Sequence, residues 1–238
     1  MKVFVFCKRI SFLALAALSP FLAGCGGGGG SAAAVAVSTS NFALDAAYVD
    51  NMTIARNIPW TVRGTFQGVP VTGSGTLVES AATASTFNGK SAQARNSNFN
   101  GTISAQGQSA PISVVETTFL DASRLVVGSG GTAGTAYNFI IQSAPLPNAA
   151  KVGSSGAFVS YDIFRDALKS VKVSSSVVTW SLEADTASTA LLTFFTKATA
   201  TTGAVTTTAE VLRITPSGVT TRVRVDGNVN GQALSFFF

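Results

Sequence analysis

The chain has 238 residues, 46% hydrophobic and only 11% charged, with two cysteines and no histidine. The missing histidine excludes Ser-His-Asp and Cys-His catalysis within the chain, and the scarcity of both residue types excludes the usual Cys/His zinc sites. The formal charge of +5 owes three units to Lys2, Lys8 and Arg9, so it says little for a nucleic-acid partner, and none is expected.

Those three cations begin the first element. They precede "ISFLALAALSPFLAG", residues 10–24, an apolar run shorter than the about 20 residues of a bilayer span. A charged start, an apolar run and small residues before a cut describe a secretory signal peptide. The segment ends in Leu22-Ala23-Gly24-Cys25, which resembles the bacterial lipoprotein box. The resemblance implies that the Cys25 thiol carries diacylglycerol, that the chain is cut before it, and that the new amine takes a further acyl chain such as palmitate. Gly26 stands where aspartate would signal inner-membrane retention. The same resemblance therefore implies the outer membrane, on its periplasmic face.

The glycines after Cys25 fit that reading. Two or more acyl chains anchor a protein stably, and the Gly-rich stretch 26–40 would span roughly 20 Å as a flexible coil. Cys7 leaves with the signal, so the folded body has neither thiol nor disulfide. Thirteen cations remain against eleven acids after cleavage, a net charge of +2. The organisation expected is a signal peptide at 1–24, a tether at 25–40, a helix with a first β region at 41–145, and a second β region at 146–238. The two β regions would be one continuous domain or two.

The helix expected lies within 42–57, "FALDAAYVDNMTIARN". Leu44, Ala47, Tyr48, Met52 and Ala55 would form one stripe. Asn41 would cap it, Asp45 would sit in its first turn, and Ile58-Pro59 would end it. Beyond Pro59 the text is short apolar runs rich in Thr, Val and Ser, broken by turn residues. Strands are expected at 60–67, 69–79, 83–94, 98–105, 111–120, 124–127 and 135–142, then 156–164, 169–184, 188–198, 205–215, 219–226 and 232–238. The fold class is mainly β: an antiparallel meander, folded as a sandwich or half-barrel, with one N-terminal helix. "ALLTFF" (190–195) and "ALSFFF" (233–238) are apolar at both parities, as in strands covered on both sides.

One hairpin has an assignable register. Thr215-Pro216-Ser217-Gly218 carries the residues of a type I turn. Pairing Ile214 with Val219 puts Leu212, Ile214, Val219, Thr221 and Val223 on a core face and Arg213, Arg222 and Arg224 on the other. Glu210 then falls on the apolar face. That requires an exposed strand end or a β-bulge.

"LDAAYVDNMT", "WTVRGTFQG" and "WSLEADTASTALLTFFTKAT" together resemble a loose group of small proteobacterial lipoproteins of uncharacterised function. The resemblance spans 44–226 and implies fold only; no functional residue follows from it. Members of that group often carry cysteines in the first half of the span, and this chain has none between 44 and 226.

Several constellations are chemically suggestive. Asp226, Asn228 and Asn230 spell the first half of a calcium loop, but Phe237 stands where the bidentate glutamate belongs, and Asn-Gly is equally a hairpin turn. Asp162, Asp166, Glu183 and Asp185 would serve a carboxylate-dependent hydrolase if two of them converged. Otherwise Glu183 and Asp185 are the solvated face of a strand whose other face holds Trp180 and Leu182. Arg213, Arg222 and Arg224 would form an anion-binding stripe, or simply a solvated sheet face. "GSGGTAG" (128–134) lacks the lysine of a phosphate loop and reads as a hairpin loop. The C-terminal Phe236-Phe237-Phe238 resembles the end of an outer-membrane barrel, but the chain has too few Trp and Tyr for two aromatic girdles. Trp60 and Trp180 read as core anchors.

The expectation is a lipid-anchored, non-enzymatic binding or structural module of the cell envelope, without cofactor. It would meet the membrane through its lipid and an envelope protein or glycan through its body. The alternatives are a carrier of lipid or another apolar ligand, which needs a cavity of several hundred cubic ångströms, and the hydrolase.

Overall fold

The computed structural model describes residues 37–132, 134–229 and 232–238. Cys25, the signal segment, most of the tether and Asn230 lie outside the described residues.

The helix, α1 (Leu44–Thr53), is shorter than its apolar spacing suggested, and Asn41 does not cap it. Its N-terminus is satisfied by other parts of the chain. The N–H of Ala43 donates to the carbonyl of Pro216 at 3.1 Å, and that of Leu44 to Pro147 at 2.9 Å. Loop carbonyls thus replace a side-chain cap. Gly218 permits this closeness, because a Cβ there would stand 2.6 Å from the Cβ of Ala46, and its φ of +88° suits glycine. At the other end Ile54 turns extended, and Arg56 donates back to the carbonyls of Asn51 (2.8 Å) and Asp50 (3.1 Å). A cation therefore sits at the negative end of the helix dipole. Pro59 does not end the helix; it lies inside the first strand. It is tolerated because pairing with the last strand begins only at Thr61, leaving no N–H needed there.

Thirteen strands follow: β1 (Arg56–Phe66), β2 (Val69–Glu79), β3 (Thr83–Phe87), β4 (Lys90–Ala105), β5 (Gln108–Leu120), β6 (Val126–Gly131), β7 (Ala136–Ser143), β8 (Ser155–Phe164), β9 (Lys172–Ala184), β10 (Ala190–Ala200), β11 (Val205–Ile214), β12 (Thr220–Val229) and β13 (Gln232–Phe237). The stretch 83–105 divides at the Asn88-Gly89 turn, where Asn88 has φ +51° and Gly89 φ +70°. Gly128 to Gly131 belong to β6 rather than to a loop.

The fold is mainly β with one helix, and the meander closes fully. β1 pairs with both β2 and β13, β2 pairs with β4, and every later strand pairs with the next. β1, β2 and β4 to β13 thus form a closed antiparallel barrel of twelve strands. β3 stands outside the ring, paired with the first residues of β4. The stretches 41–145 and 146–238 are parts of one ring, joined through β7 with β8 and β1 with β13. The thinnest joint is β6 with β7, where only Gly128↔Tyr137 and Ser129↔Ala136 are paired.

Side-chain parity sets inside from outside. On β1, Trp60, Val62 and Phe66 are buried while Pro59, Thr61, Arg63 and Thr65 are exposed. On β2 the outward residues are Pro70, Thr72, Ser74, Thr76 and Val78. On these two strands the hydroxyl-rich outer face is the reverse of a lipid-facing strand. "ALLTFF" and "ALSFFF" are one-sided too: Leu192, Phe194 and Leu234 are buried inside, while Leu191 and Phe195 are only partly covered and Phe237 is exposed.

About eight strands make a barrel that side chains alone can fill; twelve leave a wider lumen. Two apolar clusters occupy part of it. In one, Phe42, Leu44, Ala47 and Tyr48 of the helical segment pack on Phe158, Leu192, Phe194, Leu212 and Ile214. The helix thereby plugs one end of the barrel. Each fully buried Leu or Phe there contributes about 1.5–3 kcal/mol. The other cluster surrounds Trp60 with Val62, Val71, Leu77, Ile103 and Leu234.

The β11–β12 hairpin corrects the expected register. The Pro216 turn is present, but Ile214 pairs with Thr220 and Leu212 with Arg222. A bulge between Val211 and Leu212 then brings Arg224 opposite Val211. The three arginines therefore do not share a face, and the anion-binding stripe does not form. Arg222 points into the barrel, while Arg213 and Arg224 point outward.

Candidate ligand site inside the barrel

A hollow of about 270 Å³ remains inside the barrel, slightly below the usual range of small-molecule sites. It is built by the inward parities of β2, β4, β5, β11, β12 and β13. Leu77, Phe99, Ile112, Val114, Leu234 and Phe236 form an apolar wall, and Glu79, Glu116, Glu210 and Arg222 bring charge to it. Phe99, Glu116, Thr208, Val225 and Phe236 face inward yet are only partly covered, as expected where a wall borders empty space.

The charges fall into two sets. The first is a buried network beside the C-terminal end of α1. Arg222 lies 3.1 Å from Glu79 Oε1 and 2.7 Å from Glu210 Oε1, and its Nη2 donates to Asn51 Oδ1 at 3.4 Å. Arg95 approaches Glu79 Oε2 at 2.5 Å as an ion pair, off the hydrogen-bond axis, so that Oε2 accepts no hydrogen bond. Glu79, Arg95 and Arg222 are all nearly covered, and Glu210 keeps about a quarter of its side chain exposed, toward the hollow. Two acids and two arginines balance. Burial pushes the Glu210 carboxyl up, but Arg222, Asn51 and Arg95 outweigh it and hold the carboxyl below its ordinary range. Burial lowers Arg222 in turn, and Glu210 and Glu79 more than reverse that. Arg95 ends below its ordinary value, burial and the neighbouring arginines outweighing Glu79. Next to this network, Arg56 and Thr220 both bond to Asp50 Oδ2, tying the helix to β1 and β12.

Glu116 is the second set. It stands alone on β5, opposite Ser97 on β4 and Gly131 on β6. Burial raises its carboxyl pKa, and a hydrogen bond from Ser129 only partly opposes the rise. No cation contributes to its balance.

The other suggestive residues do not assemble. Asp162 meets Lys172 at 2.6 Å and Ser175 at 2.8 Å. Asp166 accepts from the backbone and side chain of its own loop, through Leu168, Ser170 and Val171. Asp185 is bound by Arg213 and Thr189. Glu183 lies on the outer face of β9, eight residues along the strand from Ser175, the partner of Asp162, hence about 26 Å away. The four carboxylates do not line one cavity together. Asp226 is taken by Arg224 at 2.7 Å, Asn228 lies on β12 opposite Ala233, and Asn230 falls outside the described residues. Trp180 is a core residue, with Glu183 on the opposite face as its parity implied. Among the described residues no three acidic, His or Cys side chains gather as a metal site.

Sequence reasoning did not single out Glu79, Arg95 or Glu116. The signal was present: each sits at the apolar parity of its strand, with Leu77, Phe99 and Val114 two or four residues away.

Fold and interior together define a twelve-strand antiparallel barrel, plugged at one end by a helix and hollow beside a buried ion network. Compared with protein-family models, curated proteins and solved structures, the chain matches none.

Proposed function

We propose that this protein is a lipid-anchored binding module of the bacterial envelope, held through Cys25 to the periplasmic face of the outer membrane, with the barrel interior as its binding site. It acts without catalysis. The observation that carries the reading is the hollow: an apolar-walled space persists inside a barrel whose outer face is hydroxyl-rich on β1 and β2. A purely structural barrel would gain from filling that space, since cavities cost stability.

The anchor and the site are tested separately. Cys25→Ser should abolish incorporation of a clickable fatty acid and move the protein out of the membrane fraction. Continued labelling of that variant would overturn the anchor.

For the site, Gly227 is the position to fill. It lines the hollow, and a Cβ added there would have no neighbour nearer than the Leu234 carbonyl at 3.9 Å. Gly227→Leu should keep or raise the thermal midpoint while removing the fluorescence enhancement of N-phenylnaphthylamine, a neutral apolar dye. Absence of any enhancement with the unaltered barrel, or full enhancement with the filled one, would overturn the interior site.

A further inference from the structure

We propose that the hollow takes a small cationic amphiphile, an apolar body bearing one protonated amine, with Glu116 as its counter-charge. The inference rests on the interior being a ligand site and concerns which ligand class enters it.

The argument is one of unpaired charge. Arg222 is engaged by Glu79, Glu210 and Asn51. Arg95 faces Glu79 and does not line the hollow. An anionic ligand would therefore find no uncommitted cation in the wall, and would have to break a buried pair to obtain one. Glu116 is in the opposite position. Its side chain lines the hollow and has no ion-pair partner among the described residues. With the network neutral, an ionised Glu116 gives the hollow one net negative charge. A charge-assisted hydrogen bond to an ammonium would satisfy it. Phe99, Phe236 and Phe238 supply the remaining wall, and aromatic faces attract cations as well as apolar chains.

The volume limits the ligand. At about 270 Å³ the space suits one short chain or a compact aromatic of the size of N-phenylnaphthylamine, and not a diacyl lipid. Among apolar ligands, the amine and not tail length would decide which one binds.

The test is displacement of N-phenylnaphthylamine from the purified barrel by three ligands with the same tail: octylamine, octanol and octanoate. A hydrogen bond to a charged group is worth roughly ten- to hundred-fold in affinity. Octylamine should displace the dye at least ten-fold more tightly than octanol, with octanoate weakest. In Glu116→Gln, dye binding should persist and the preference for octylamine should collapse. Dye binding with equal displacement by the three, or with octanoate strongest, would overturn the proposal while leaving the interior site standing. Dye that never binds would overturn both. Glu116→Gln should unfold at no lower temperature than the unaltered barrel at pH 7, because it removes a carboxyl whose charge is disfavoured by burial. Retention of the octylamine preference in a folded Glu116→Gln barrel would also overturn the assignment.

Discussion

Arg222→Met is expected to destabilise the barrel by about 3–5 kcal/mol at neutral pH, the cost of removing one partner from a buried ionic cluster. Arg222 bridges Glu79 and Glu210, and its own side chain is only 8% exposed. In the variant Glu79 retains Arg95 alone, and Glu210 retains only the weak 3.2 Å hydrogen bond from Asn51. For a chain of this length, 1 kcal/mol corresponds to a shift of about 2–4 °C in the thermal midpoint. A fall of roughly 6–20 °C should follow.

The deficit should depend on pH with a definite sign. Glu210 is held below its ordinary range in the folded protein. A carboxyl depressed by folding contributes stability above its unfolded pKa of about 4.3, and that contribution disappears as the pH falls through the folded value. Without Arg222, burial acts on Glu210 with little opposition and favours the protonated form. The gap between the two proteins should therefore be largest near pH 7 and narrow toward pH 4. Urea midpoints across that range read it directly. Arg222→Lys should fall between them, since an ammonium lacks the planar fork that meets two carboxylates at once. A midpoint for Arg222→Met unchanged at pH 7 would mean that the network is solvated and not structural.

This network also shows what the sequence could and could not disclose. The strand stretches were legible because inward apolar and outward hydroxyl residues alternate clearly, as on β1 and β2. Val69–Glu79 agrees at both ends. Closure was not legible, because it rests on pairings between distant strands: β1 with β13, and β2 with β4 across the β3 arm. Nothing local in either strand names its partner. The helix ends were misjudged for a similar reason. The groups that complete them, Pro147, Pro216 and Arg56, are contributed by tertiary contacts or by the following strand. The hairpin failed at one residue. Ile214 pairs with Thr220 instead of Val219, which reverses the parity of Arg222, and the bulge at Val211/Leu212 then returns Arg224 to the outer face. The anomaly that pointed to a bulge was Glu210 at an apolar position. Charge at the wrong parity was the clue to the interior site throughout, at Glu79, Arg95 and Glu116 as well as at Glu210.

Trp60→Ala is expected to cost about 3–5 kcal/mol, at the upper end for core truncations. The indole is 1% exposed. It stacks on Phe99 with centroids 4.3 Å apart and meets Phe236 edge-on at 5.8 Å. Beneath it lie Gly75 and Gly101, paired across β2 and β4. A Cβ at either would stand 2.6 Å and 2.5 Å, respectively, from Trp60 Cζ2. The two glycines thus make the floor on which the ring rests. Truncating the ring leaves a void whose floor is bare backbone, and backbone held by strand pairing cannot move in to close it. A methyl group added at Gly101 would not repair the loss, because its Cβ also collides with the Ser74 carbonyl. Trp60→Phe should behave differently. The indole Nε1 is buried without a hydrogen-bond partner, so phenylalanine sheds an unsatisfied donor while keeping a ring on the glycine floor, and its cost should stay under about 1.5 kcal/mol. Urea midpoints of Trp60→Ala, Trp60→Phe and Trp60→Ala with Gly101→Ala measure all three expectations. Recovery of stability in the double variant would show that the floor can collapse, and the hollow beside it would then owe nothing to the rigidity of these two strands.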